Sequence, residues 1–250
     1  LVILSRHRGF IVNNLQRGLY IIFEGADSSG KSSTMRLVAQ TLYQKLLPVF
    51  PDVVIRETHH PGSTPLGQHL RQLVKYPSSI NPDIEIDDLS RQMLYMVDTV
   101  TFVKSVLIPS LANNEIVFAD RSTFISALAY GTADGLSVDE ILRIFSVITP
   151  PKADRVYILQ CPWAIGKARI CKERTNLDHY DKMNDDYHNR LEKIYDNLIT
   201  HSAEMTIAVS TCVTIDNIQF VDTNTEQEKV VTEIVSDLMR LIAEREDIVF

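Results

Sequence analysis

Residues 25 to 32 read Gly25-Ala26-Asp27-Ser28-Ser29-Gly30-Lys31-Ser32: a glycine, four residues, a second glycine, a lysine and a hydroxyl. The glycines let successive backbone N–H groups turn inward around phosphate oxygens, and a helix starting here would add the positive end of its dipole. Lys31 would reach the β- and γ-phosphates of a nucleotide, and the Ser32 hydroxyl would ligate Mg²⁺. Gly25, Ser28, Ser29, Gly30, Lys31, Ser32 and Ser33 are the expected donor-phosphate residues. A second pair, Asp120-Arg121, closes the apolar run "IVFAD". An acid followed by arginine at a strand's C-terminal end sets a Mg²⁺ partner, Asp120, and a phosphate clamp, Arg121, beside such a loop.

Both constellations need a strand to end where they begin. "LYIIF" (19–23) is an apolar run of buried-strand length before the glycine loop, and helical periodicity follows from about 32 to 47. Further strands are expected at 52–57, 115–120, 154–159 and 213–222, with helices near 64–75, 88–112, 122–133, 137–148, 162–174, 183–202 and 226–245. This alternation, with the glycine loop after its first strand, predicts an α/β, three-layer P-loop NTPase fold: a five-stranded parallel sheet with helices on both faces. The stretch 76–88, with two prolines and several acids, reads as a surface insertion. Residues 1–17 read as an N-terminal extension, and 18–250 as one domain.

The chain has 250 residues, 45% apolar and 23% charged, with a net charge of −7. That balance argues against a general nucleic-acid binder, which would carry a basic excess. Cys161, Cys171 and Cys212 show neither metal-ligand spacing nor the density of a disulfide framework, which fits a reducing, cytoplasmic setting. Organelle targeting by the first residues, which lack an acid before Glu24, is a minor alternative. No apolar run approaches the roughly 20 residues that span a bilayer. A guanine-reading N-K-x-D is absent, and the strand ending in Asp120-Arg121 is kinase-like rather than ATPase-like.

Four blocks in order resemble the thymidylate kinase family. "FEGADSSGKSS" (23–33) is similar to its phosphate loop, and "RETHHPGSTPLGQHLR" (56–71) to its R-E-P-G-G-T-P block with three residues inserted. "LYMVDTVTFVKSVLIPSLANNEIVFADRSTFISALAYG" (94–131) is the most specific match, and "LDHYDKMNDDYHNRLEKIY" (177–195) keeps the spacing of the fourth block. The resemblance implies ATP-dependent phosphorylation of a deoxynucleoside 5′-monophosphate, most simply dTMP, with ATP and Mg²⁺ as cofactors and a homodimer as the assembly. Carried over by residue, Asp27 would contact the acceptor sugar and metal waters, and Arg121 would bridge donor and acceptor phosphates. Ser126 and Tyr130 would line the acceptor pocket with Pro61, and Tyr95 would stack on the pyrimidine. The resemblance also implies that 18–250 is a single kinase domain with a helical lid at about 166–180; Arg169 and Arg174, in the lid-like "GKARICKERTN" (166–176), are the expected donors to the transferred phosphoryl group, because the loop "ADSSG" has no arginine.

One departure bears on the base. Where the family has an arginine that addresses a pyrimidine carbonyl, this chain has Thr99. Threonine is too short for that reach, so a weaker preference among monophosphates is expected. A broad-specificity monophosphate kinase or a deoxynucleoside kinase are the neighbouring readings. A non-catalytic nucleotide-binding module would be expected to lose Lys31 or Arg121, and both are present.

Overall fold

The computed structural model describes residues 17–173 and 175–246. Five strands, β1 (Leu19–Glu24), β2 (Ile55–His59), β3 (Ile116–Asp120), β4 (Arg155–Gln160) and β5 (Ile218–Asp222), form one parallel sheet in the order β2-β3-β1-β4-β5. The nine longer helices are α1 (Lys31–Leu46), α2 (Pro65–Lys75), α3 (Asp88–Phe102), α4 (Thr123–Asp134), α5 (Val138–Phe145), α6 (Trp163–Glu173), α7 (Asp185–Asp196), α8 (Ala203–Ser210) and α9 (Gln227–Glu246).

Strand periodicity divides the core. Tyr20, Ile22, Val117, Ala119, Val156 and Ile158 face one side, under residues of α3, α4, α5, α7 and α8. Ile21, Phe23, Phe118, Tyr157 and Leu159 alternate with them and face α1 and α9 on the other. Every residue of β1 is buried, which is why it reads as a continuous apolar run rather than an alternating one. From β1 the chain runs to the edge strand β2, returns to β3 between the two, and then crosses β1 to β4 and β5 on the other side. The connections leaving the neighbouring strands β1 and β3 therefore run in opposite directions, and their C-terminal ends form the switch point where open parallel sheets bind ligands.

Several boundaries differ from the expected ones: β2, expected at 52–57, runs Ile55–His59, and α5, expected at 137–148, ends at Phe145. The stretch expected as one helix over 183–202 breaks after Asp196, and α8 restarts with the Ser202 hydroxyl accepting from the N–H of Met205. The last strand begins only at Ile218, because 215–217 form a 3₁₀ turn. Helix α3 continues through a π-helical turn (Val103–Leu107) into Ile108–Ala112. Pro109 has no N–H and would crowd the carbonyl four residues back, and the wider turn relieves both.

The continuous helical stretch Asp88–Ala112 also amends the expectation about apolar length. By length and composition it could cross a membrane, with a window of mean hydropathy 1.3. Its inner face instead packs Met96, Phe102, Val103, Leu107 and Leu111 into the core. The expected insertion at 76–88 holds one short helical turn, Pro77–Ile80, and is largely exposed. Of the extension, Leu1–Gln16 lie outside the described residues, whereas Arg17 is ion-paired to Asp154 at 2.8 Å.

Candidate active site

The loop after β1 is shaped by positions that only small or unbranched residues tolerate. Gly25 has φ 139°, and a Cβ there would lie 2.4 Å from the Leu159 carbonyl oxygen. Gly30 has φ 87° and hands directly into α1, so the helix N-terminus opens on the loop. Ser28 also adopts positive φ, 59°. The Ser33 hydroxyl donates to the Gly30 carbonyl at 2.9 Å.

Lys31 folds back over this loop. Its ammonium donates to the Ala26 carbonyl at 2.6 Å and approaches Ser29 Oγ at 3.4 Å. Burial, reinforced by the Arg121 charge, lowers its pKa to about 8, against the pull of Asp27, Asp120 and Glu24. A phosphate would restore the missing counter-charge, so the side chain is poised to exchange a carbonyl for phosphate oxygens. At the loop's mouth the Ser32 hydroxyl donates to Asp120. A hydroxyl and one carboxylate form the hard-oxygen donor set that Mg²⁺ takes, with water and phosphates completing the shell. Among the described residues no group of three or more His, Cys, Asp or Glu could hold a metal.

Arg121 occupies the centre. It follows β3 with φ 75°, a costly conformation for a residue with a Cβ, and its N–H donates to the Phe23 carbonyl at 2.8 Å. Its guanidinium donates to the Gly25 carbonyl at 3.0 Å, to Asp27 at 2.6 Å and to the Tyr130 hydroxyl at 2.9 Å. Tyr130 in turn donates to the other Asp27 oxygen at 2.8 Å. Burial alone would raise the pKa of Asp27, but the charges of Arg121, Lys75 and Lys31 hold it well below the usual carboxylate range. Asp27 is therefore an acceptor-only group fixed between a cation and a phenol.

Behind Arg121 stands Glu24, fully buried at the end of β1. It accepts from the Ser122 N–H at 2.6 Å, the Ser126 hydroxyl at 2.9 Å and the Tyr195 hydroxyl at 3.0 Å. Burial pushes its pKa up, opposed by Arg121 and these donors. Glu24 thus ties the sheet, α4 and α7 to the back of the guanidinium.

These groups open on a cleft of about 890 Å³ running from the glycine loop to an aromatic end. Its far walls include Pro61, Arg71, Lys75, Tyr95, Ala127, Tyr130 and Tyr180. Tyr130 and Tyr180 meet edge to face with centroids 4.7 Å apart. Burial pushes the Tyr95 phenol up to about 12, so it is neutral there. A flat, apolar-faced slot beside a guanidinium suits a planar base carrying a phosphate.

The structure brings together Asp27, Ser28, Ser29, Gly30, Lys31, Ser32, Ser33, Pro61, Tyr95, Asp120, Arg121, Ser126, Tyr130 and Arg169 around this cleft, with Gly25 just beneath it. Ser126 lines it, although its hydroxyl is spent on Glu24. Thr99 departs from expectation. Its side chain turns to a small pocket behind α3, with Tyr20, Phe102 and Phe124, and its hydroxyl donates to the Tyr95 carbonyl at 2.8 Å. A short β-branched hydroxyl in a helix bonds back to the preceding turn, so it has nothing left to offer the cleft. Arg174 lies outside the described residues. Sequence reasoning missed Glu24, His60, Arg71, Lys75, Tyr180 and Tyr195. Arg71 and Lys75 sit four apart on α2, a repeat that could have placed both on one face.

Arg169, on α6, reaches across from the expected lid. Its Nη1 donates to the Ser28 carbonyl at 3.0 Å, directly over the glycine loop. Arg169→Ala is therefore expected to lower kcat about a hundredfold, as for loss of one charge-stabilising donor, with a small change in acceptor KM. Steady-state kinetics check this: wild-type kcat in the variant would remove Arg169 from the transfer step.

The fold and this site define a class: a P-loop protein with a phosphate-binding loop at one end of its cleft and an aromatic, cation-rimmed slot at the other. The family model for thymidylate kinase matches residues 23–234, and the chain belongs to that family. It is 29% identical to the thymidylate kinase of Trichodesmium erythraeum over 240 residues, covering 91% of this chain and 97% of that one. It is 32% identical to the thymidylate kinase of Thermosynechococcus vestitus over 182 residues, 70% of this chain and 73% of the relative. The crystal structure of thymidylate kinase from Ehrlichia chaffeensis superposes with a TM-score of 0.63 at 18% identity, covering 89% of this chain and 98% of that one, a likeness of fold.

Proposed function

We propose that this chain transfers the γ-phosphoryl group of ATP to the 5′-phosphate of dTMP, giving ADP and dTDP. An oxygen of the acceptor phosphate attacks the γ-phosphorus, and the bond to the β,γ-bridging oxygen breaks. Lys31 and the loop N–H groups hold the donor phosphates, and Ser32 with Asp120 would hold Mg²⁺, which neutralises charge on the β- and γ-phosphates. Arg121 spans donor and acceptor with its planar fork, kept in register by Asp27, Tyr130 and the Gly25 carbonyl. Tyr95 stacks on the base, Pro61 and Ser126 wall the acceptor, and Arg169 meets charge on the transferred group, with Arg174 assigned the same role from sequence. Residues 166–180 act as the lid of one kinase domain spanning 18–250.

The single observation that carries this reading is the Arg121 guanidinium, locked at the boundary between the glycine loop and the aromatic slot. The experiment is a transfer assay with ATP and Mg²⁺ across dTMP, dUMP, dCMP, dGMP, dAMP and thymidine. Highest kcat/KM on dTMP is the expected result, and turnover of thymidine without turnover of dTMP would overturn it.

Two companions of this reading concern setting and assembly. The free thiols Cys161, Cys171 and Cys212 and the net charge of −7 support a reducing cytoplasmic compartment and nucleotides, rather than nucleic acid, as partners. Leu89, Met93, Val97 and Ile108 leave an exposed apolar stripe along Asp88–Ala112, which supports pairing of two copies through this face rather than membrane insertion. Sedimentation should give a dimer that Met93→Glu with Val97→Glu dissociates; a wild-type monomer at micromolar concentration would refute the pairing.

A further inference from the structure

Asp134 takes no part in phosphoryl transfer, yet it is bonded to a wall of the aromatic slot. It ends α4, with Gly135 at φ 101° after it. It stands one turn beyond Tyr130, so the two share a face of the helix. Tyr180, which opens the 3₁₀ turn Tyr180–Lys182, is held by both. Its ring meets that of Tyr130 edge to face with centroids 4.7 Å apart, and its hydroxyl donates to Asp134 Oδ2 at 3.4 Å. The other carboxylate oxygen accepts from the Tyr187 hydroxyl of α7 at 2.7 Å. The Tyr180 and Tyr187 rings stack with centroids 6.1 Å apart. Burial raises the Asp134 pKa to about 6, so near neutral pH it is a carboxylate that accepts from both phenols.

The backbone next to Tyr180 is fixed from another direction. The His179 N–H donates to the Lys75 carbonyl at 3.0 Å, and Asp178 pairs with the Lys75 ammonium, so this segment docks on the end of α2. Those bonds do not set the Tyr180 side-chain torsions; the bond at the ring's far end does. A ring already ordered in the free protein costs a ligand nothing to order on binding. We infer that Asp134 is a positioning residue for the acceptor: by holding the Tyr180 hydroxyl, it keeps that ring as a preformed wall of the base slot. The inference rests on dTMP being the acceptor. It gives the C-terminal turn of α4 a part in acceptor affinity but none in the transfer step.

The test combines calorimetric titration with dTMP, without ATP, and steady-state kinetics on the full chain. Asp134→Ala should raise the Kd and KM for dTMP about tenfold, the scale of one hydrogen bond to a charged group, and leave kcat and the KM for ATP near wild type. Tyr180→Phe keeps the ring and deletes the hydroxyl, and it should weaken dTMP to a similar degree. The double variant should be no weaker than the poorer single one, because both changes remove the same bond. Asp134→Asn should restore most of the affinity: its carbonyl accepts from Tyr187, and its amide N–H₂ gives the Tyr180 hydroxyl a donor in place of an acceptor. Penalties that multiply in the double variant would show that Asp134 does not act through Tyr180, and a parallel loss of kcat, ATP affinity and dTMP affinity would show a merely structural role. Should Asp134→Ala fail to unfold cooperatively, Tyr180→Phe decides alone, and wild-type affinity for dTMP in that variant overturns the inference. Wild-type protein that neither binds nor phosphorylates dTMP would refute the proposed function instead, so the two failures are distinguishable.

Discussion

Lys31→Ala is expected to lower kcat by about a hundred- to a thousandfold, the range for losing one preorganised donor to transition-state charge. The ammonium is buried, and in the ligand-free protein it is satisfied chiefly by the Ala26 carbonyl. Its contribution there is small, because burial already depresses its pKa to about 8. The substitution should therefore leave thermal unfolding unchanged or shift it upward while transfer is lost. This separation of stability from activity marks a group held for its ligand. Turnover above a tenth of wild type would remove the glycine loop from the chemistry.

The second large effect is at Arg121. Replacing it with alanine would strand Glu24 and Asp27 in a buried site, at a cost of about 3–5 kcal/mol, and would confound folding with catalysis. Arg121→Lys keeps the charge and discards the fork. An ammonium can satisfy Asp27, but it cannot also reach the Gly25 carbonyl and the Tyr130 hydroxyl in one plane while bridging two phosphates. Expected is a fall of about a hundredfold or more in kcat/KM for the acceptor, with ATP binding less affected and unfolding temperature near wild type. Equal kinetics for lysine and arginine would show that position 121 supplies charge alone.

The donor half of the site was legible because its chemistry is local. A loop that wraps a phosphate must have glycines at fixed offsets between a strand and a helix, and Gly25, Gly30, Lys31 and Ser32 declare this within eight residues. The positive φ at Arg121 and the burial of Glu24 were not legible, since both follow from the meeting of β1, β3 and α7, far apart in sequence. The acceptor half was read through position matching, and there a matched position misled. Thr99 occupies the place of an arginine, but side-chain length decides which wall a residue serves, and threonine serves its own helix. Strand order was readable from alternation alone only to the level of a parallel sheet, whereas the switch point between β1 and β3 required the pairing itself.

The most direct measurement follows the phosphate. With γ-labelled ATP, Mg²⁺, dTMP and enzyme in excess over ATP, a single turnover should place the label in the β-phosphate of dTDP, in amounts equal to the ADP formed. Label released as inorganic phosphate, or ADP formed at the same rate without dTMP, would contradict the account of Arg121 as a bridge between two nucleotides.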